Sequence, residues 1–457
     1  MTGGATTRLI TLPERHPAAT LFGIGAVFLL LYTASLIWLP KASGRIVIGD
    51  ATHHFVQLRS AVFDRDLHFR NEYVRLYGLR GDEPGVEWVY ESTATGHVRN
   101  LMPVGPALLW APAYLLISAL VWIGGFLGFT YPLDGYGRLF QAAAGISGIV
   151  AATAGSWLTY RGALRLCDPR AAIWATLTVW LSSSAVYYSV ISPTYSHAAS
   201  MFAVSAFWTA WVVSLDRRDW KKYAGLGLLA GIAGLMRWQD LVLVLVPALE
   251  VAWRLRADGA RAAMLRLAST AIGIFVGFLP QMIVWKVLYG APLTIPQGPS
   301  FMRWSEPALL SLLFSDNHGL VSWTPIAALS LAGLLWLYRR SALVGVAALL
   351  FFAVSWYVNA AVADWWAGEA FGARRFVSCF PIFVFGLAAL LDRATAKTTV
   401  GATICCLFTL HTFLLLLQYQ AFMRGLRQVV PYPSGLDGLF LARFRAPFDL
   451  VHWWLSK

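Results

Sequence analysis

Charge is the first thing this chain lacks. Asp, Glu, Lys and Arg make up only 13% of its 457 residues, while hydrophobic residues make up 58%. A soluble domain carries about twice that charged share, so the mean hydropathy of +0.60 excludes one. The alternating apolar–polar pattern of a membrane barrel is missing too. With four cysteines there is no disulfide framework. Cys405 and Cys406 are adjacent in an apolar run, as is Cys379, and Cys167 stands among arginines. There is no P-loop and no Rossmann glycine pattern, which removes the common nucleotide sites. No internal repeat or low-complexity tract is seen, and the matched halves of many transporters are absent. The first apolar run, 18–39, is too long for a signal h-region and lacks a small-x-small cleavage site, so it is expected to stay as a first span.

What is present is a series of long apolar runs, each about 20 residues, the length that crosses a bilayer as helix. They fall at 18–39, 137–160, 171–191, 197–215, a pair within 223–253, 267–288, 318–338, 343–361, 376–391 and 398–421. The sequence therefore predicts an all-α polytopic membrane protein. Its net charge of +13 is not the mark of a nucleic-acid partner. The bases cluster in short loops: Arg161, Arg165 and Arg170; Arg217, Arg218, Lys221 and Lys222; Arg254, Arg256, Arg261 and Arg266; Arg339 with Arg340; Arg393 with Lys397. Loops this basic face the cytoplasm.

That bias predicts about eleven crossings in one membrane domain, 1–457, with the N-terminus inside and the C-terminus outside. Segments 41–136, 289–317, 364–375 and the tail 422–457 then share the outer side. The run 103–128 is apolar enough to span, but parity leaves no crossing for it. It is expected to be re-entrant or to lie on the outer face, broken at Pro103, Pro106 and Pro112. The pair within 223–253 is short, which sinks Arg237-Trp238-Gln239-Asp240 below the outer surface. Charges at that depth are paired or functional.

Acids are scarce, 23 in all, yet eight of them fall in the outer loop at 41–100. The stretch 49–64 has helical period, with Asp50, His53, His54, Gln57 and Asp64 on one face and Ala51, Phe55, Leu58 and Val62 on the other. It reads as an amphipathic helix in the membrane interface. Asp50 suits two roles, a helix N-cap or a general base that takes a proton from a hydroxyl. His53 and His54 are interface solvators or acceptor contacts, and Asp50 with His54 at i, i+4 offers a divalent metal two ligands. Asp64, Asp66 and Glu72 alternate with Arg65 and Arg70, as in a salt-bridged loop. Across the chain, Arg374 and Arg375 open a span from the outer side, against the usual charge bias, and suit a phosphate. Trp365 and Trp366 suit a sugar ring or the interfacial aromatic belt. His197 and His318 stand at outer ends of spans, as caps or site residues.

Several of these stretches resemble a known class. They are Gly49-Asp50 after a first span, the Phe63-Asp64-Arg65-Asp66-Leu67 stretch with Asn71-Glu72-Tyr73, the run from Asn100 to Pro106, and the run 366–376. Together they resemble the GT-C membrane glycosyltransferases, and within them the bacterial relatives of protein O-mannosyltransferases and aminoarabinose transferases. The resemblance implies a GT-C-like fold with a large first extracytoplasmic loop carrying juxtamembrane helices, and Asp50 as catalytic base. It implies a polyprenyl-phosphate sugar donor, transfer with inversion to a hydroxyl on a glycan, lipid or protein, no required cofactor though a divalent metal is compatible, and residence in a bacterial-type inner membrane with the site on the extracytoplasmic side. Many members carry Asp-Glu where this chain has Asp50-Ala51. On this reading Arg374, Arg375 and the deeper Arg237 hold the donor phosphate. His53, His54, Asp64, Asp66, Glu72, Trp366, Glu369, His197 and His318 are candidate sugar or acceptor contacts, and no residue is assigned as a metal ligand. The rivals are a transporter or lipid-sugar flippase without transferase activity, and a non-catalytic assembly subunit.

Overall fold

The computed structural model describes residues 11–38, 44–78, 86–368 and 370–456. Among these residues there is no strand, and only two isolated bridges, Ser92 to Val98 and Met302 to Val362, join extended segments. Seven described helices are long and apolar enough to cross a membrane: Pro17–Trp38, Gly105–Phe126, Arg138–Ala163, Ala260–Tyr289, Ala342–Ala360, Arg374–Leu391 and Lys397–Met423. The protein is a multi-pass membrane protein. The remaining elements of the expected map, Pro169–Leu181, Ser196–Val213, Trp220–Met236, Leu245–Asp258 and Ile326–Arg340, are shorter or more polar. Large apolar side chains point outward, as on Pro17–Trp38, where Leu30 is 69% exposed and Ile37 66%. Only lipid covers such a surface.

Lipid gives apolar helices no reason to associate, so the interior is built on close contact between small residues. Trp220–Met236 and Ala260–Tyr289 meet through two Gly-x-x-x-Gly faces. A methyl on Gly227 would overlap the Thr270 carbonyl, and one on Gly231 the Ile274 carbonyl. In return Gly273 abuts the Ala224 carbonyl and Gly277 that of Leu228. Ile326–Arg340 and Phe380–Leu391 touch in the same way at Gly333 and Gly386. Arg138–Ala163 runs through the centre, its buried face made mostly of Ala, Gly, Ser and Thr, with Phe140, Gln141, Ile149 and Tyr160 among them.

The long segment between Pro17–Trp38 and Arg138–Ala163 builds a second core. Phe55, Tyr73, Trp110, Tyr114, Phe140 and Trp285 pack there with Val47. Here the structure corrects the sequence reading twice. The helix Asp50–Arg59 does not lie half in lipid: every residue from Ala51 to Leu58 is buried. Its polar face looks into the protein, as expected, with Gln57 donating to the His53 carbonyl and to the Met102 carbonyl at 3.0 Å. Residues 60–64 continue it as a wider π turn, ended by Arg65 at φ 62°. Secondly, 103–128 is not broken. Gly105–Phe126 is one helix, with Pro106 in its first turn, where a missing N–H costs nothing, and Pro112 accommodated inside. Its start is pinned to the bundle: the Val104 N–H donates to Gln281 at 2.8 Å, and Gly105 lies against the backbone of Leu235 and Met236. The chain then returns to the middle of this helix, where the Tyr114 hydroxyl donates to the Gly135 carbonyl at 2.9 Å.

Candidate active site

Asp50 is the first residue of its helix, not the cap. The cap is Gly49, at φ 55°, a left-handed conformation that favours glycine, and no side chain caps the helix. A Cβ at Gly49 would also crowd the Tyr195 hydroxyl at 2.6 Å. The Asp50 carboxylate is thus free of local duty and reaches across the molecule. It lies 3.1 Å from the Arg374 guanidinium, with 35% of the Asp50 side chain exposed against 14% for Arg374. Burial opposes ionisation, but Arg374, with His53, His54 and Arg237 behind it, holds the carboxyl below the usual range.

Arg374 opens the 3-10 turn Arg374–Cys379, which leads into Phe380–Leu391. Gly372, at φ 63°, sets the approach, with the Ser184 hydroxyl where a side chain would go. The guanidinium also lies 5.7 Å from the Tyr195 ring centroid. Tyr195 leads to Tyr188 at 5.9 Å between centroids, and Tyr188 to His197 at 4.3 Å. The segment 187–197 therefore forms an aromatic wall beside the ion pair. The guanidinium is thus held between the Asp50 carboxylate and the Tyr195 ring.

Below this wall the polar groups continue. Arg237, 7% exposed, ends Trp220–Met236 with extended backbone and donates to Nδ1 of His197. Asp240, 1% exposed, accepts from the Ser200 hydroxyl, and Ser200 meets the Ser378 hydroxyl at 2.9 Å. The turn 237–240 and the turn that carries Arg374 are therefore joined by side chains. The two buried charges that the sequence reading places at depth are both engaged, as their desolvation requires.

The other expected residues divide. His54 stays near the pair: its Nδ1 donates to the Pro103 carbonyl at 2.8 Å, and its buried Nε2 has no partner among the described residues. His53 stacks on Trp88 at 5.1 Å and bonds the Tyr73 hydroxyl at 3.0 Å. Burial pushes both imidazoles down to about 4, so both are neutral at pH 7. Arg375 turns away from Asp50 and takes Asp364, with bonds of 2.8 Å to its carbonyl and 2.8 Å to its carboxylate. Asp64, Asp66 and Glu72 form a bracket of their own. Asp64 holds Arg59 and Asn71, Asp66 takes the Ser60 hydroxyl at 2.6 Å, and Glu72 accepts from Arg59 at 3.0 Å. His318 bridges the Trp366 carbonyl at 2.8 Å and the Tyr432 hydroxyl at 2.9 Å, so it fastens the tail. The Trp366 side chain is 38% exposed. Glu369 lies outside the described residues. Sequence reading missed Tyr188, Tyr195, Ser200 and Ser378. The dense aromatics just before His197 were the available signal.

No ready-made divalent-cation site is formed by the described residues. The carboxylate that would bind such an ion faces a guanidinium, and the described residues hold no group of three His, Cys, Asp or Glu able to ligate one.

Fold and site together define a multi-pass helical membrane protein in which the loop after the first long helix delivers a carboxylate to an arginine at the start of a later helix. No family model matches the chain, and no curated protein does. Among solved structures it is similar to the archaeal oligosaccharyltransferase AglB from Archaeoglobus fulgidus, in complex with an inhibitory peptide and a dolichol-phosphate, at 13% identity and TM-score 0.47, over 97% of this chain and 54% of that one. It is also similar to ArnT from Cupriavidus metallidurans bound to undecaprenyl phosphate, at 13% identity and TM-score 0.48, over 94% of this chain and 76% of that one. A second Archaeoglobus fulgidus oligosaccharyltransferase structure, a complex with Zn and sulfate, is similar at 10% identity and TM-score 0.46, over 86% of this chain and 55% of that one. The chain spans about half the length of the archaeal structures it matches. None of these likenesses assigns a role to a residue of this chain.

Proposed function

We propose that the protein is an inverting glycosyltransferase that moves a sugar from a polyprenyl-phosphate donor to a hydroxyl acceptor on the extracytoplasmic side of a bacterial-type inner membrane. The single observation that carries this reading is the ion pair between Asp50 and Arg374. It sets a proton acceptor beside a phosphate-binding cation at the junction of outer loop and membrane helix.

The chemistry follows from the two groups. Asp50, ionised at neutral pH, takes the proton of the acceptor hydroxyl. The acceptor oxygen bonds to the anomeric carbon from the face opposite the phosphate, and the bond from that carbon to the phosphate oxygen breaks. The electron pair leaves on the phosphate, where Arg374 meets the growing charge, with Arg237 below. A lipid donor accounts for a site at this depth, since its chain stays in the bilayer while its head reaches the ion pair. It also accounts for the lack of a nucleotide motif. The proposed topology is the eleven-crossing map, with Gly105–Phe126 as a juxtamembrane helix.

The test is Asp50→Asn in purified, lipid-reconstituted protein. Transfer is expected to fall by roughly 10²–10⁴, the usual worth of a general base, with an unchanged melting temperature. Undiminished transfer would remove Asp50 from the mechanism. Mass spectrometry of the copurifying lipid is expected to find a polyprenyl phosphate or its glycoside.

A further inference from the structure

A second cationic site lies at the other end of the helix that Arg374 opens. That helix, Arg374–Leu391, has 18 residues, so its ends are roughly 27 Å apart at 1.5 Å per residue, close to the thickness of a bilayer's apolar core. Where it ends, a cavity of about 340 Å³ opens between it and the end of Ile326–Arg340. Trp336, Arg339, Arg340, Ala389, Asp392 and Arg393 line it.

The charges in this cavity do not balance. Asp392 is held by Arg340 and, at 3.7 Å, by Lys397. Arg339 and Arg393 have no carboxylate partner among the described residues. Instead both guanidiniums lie over the single Trp336 ring, at 4.4 Å and 4.2 Å from its centroid. The Trp336 indole N–H has no acceptor there. Three arginines thus line the cavity beside one carboxylate, and two of the three are held in place by a ring rather than by an anion. Charge bias alone places arginines at this level, but it builds neither a cavity nor a shared aromatic support.

We propose that this cavity binds the phosphate of an anionic membrane phospholipid. Two planar guanidiniums supply the paired donors a phosphate takes. The flank fits an acyl chain: Leu335 is 55% exposed and Tyr338 48%, on the same helix as the arginines. A basic pocket between membrane helices at headgroup depth is the setting in which acidic lipid heads are recognised. The phosphate chemistry alone would equally suit a soluble phosphate; the apolar flank selects the lipid.

The test uses the full chain in detergent with equal amounts of phosphatidylglycerol and phosphatidylcholine, and native mass spectrometry to count bound lipid. The wild type is expected to retain phosphatidylglycerol selectively, and R339Q/R393Q to retain it at least tenfold less. R217Q/R218Q, which removes two exposed bases elsewhere, is expected to retain it as the wild type does. Equal retention by R339Q/R393Q, equal loss in the R217Q/R218Q control, or equal binding of phosphatidylcholine overturns the site. Millimolar inorganic phosphate is expected to leave the lipid bound, and its displacement would reassign the cavity to a soluble anion. If R339Q/R393Q does not fold, R339K/R393K keeps the charges but loses the planar fork. It is expected to retain the lipid several-fold less well, and full retention overturns the proposal.

Discussion

Arg374 and Arg375 are neighbours in sequence but have different partners, and the difference can be tested. Arg374 faces Asp50, whereas Arg375 makes two bonds to Asp364 and braces the loop before the helix. Under the proposed function, Arg374→Gln is expected to lower transfer by roughly 10²–10³, the loss typical of one charge-stabilising donor. It is also expected to raise the pKa of Asp50, moving the acid limb of the pH–rate profile upward. An acid limb that stays where it was would show that Arg374 does not govern the base. Glu72 titrates in the opposite direction. Burial, against the pull of Arg59, pushes its carboxyl from 4.5 up to about 7. The folded chain then holds a proton that the unfolded chain has lost, so stability falls as pH rises between those values. Melting temperature is expected to decline over that window in the wild type and not in Glu72→Gln; the same slope in both would exclude Glu72 as its source.

At the scale of elements, the glycine faces carry the most exposed claim. Gly231 and Gly277 let two helix backbones meet, and a branched side chain there strikes the opposite carbonyls. Gly231→Val is expected to destabilise the protein by roughly 1–3 kcal/mol, as overpacking does, while Gly225→Val, which meets nothing within 4 Å, is expected to be silent. Equal melting of the two variants would refute the close contact. None of this pairing was read from the sequence, although the Gly-x-x-x-Gly spacing stands in plain view in 227–231 and 273–277. Hydropathy finds helices because each crosses alone; which faces meet is set by long-range packing. The same limit explains the misreading of Asp50–Arg59. An apolar stripe at helical period looks identical whether it meets lipid or a protein core such as the one where Phe55 packs on Tyr114. What was legible was where unusual composition falls. Acids crowded into one loop marked Asp50, and arginines against the charge bias marked Arg374. Their contact across more than three hundred residues was not legible, because no local pattern encodes it.

For the molecule as a whole, the side on which each loop lies is the central expectation. With exposed Cys406 replaced by Ser, the other three cysteines are buried, so single reporters can be introduced. Asp134→Cys is expected to react with an impermeant maleimide from outside intact cells, and Arg393→Cys only after the membrane is opened. Labelling of both from one side would break the proposed map. The resting contact between Asp50 and Arg374 has a kinetic consequence at this scale. Under the proposed function, each group is the other's placeholder until a donor arrives. An incoming lipid phosphate has to evict the carboxylate from the guanidinium, and the eviction itself unmasks the base. Donor arrival and base release become one event. Turnover should therefore be ordered, donor first, and an acceptor presented alone should meet a site that is shut.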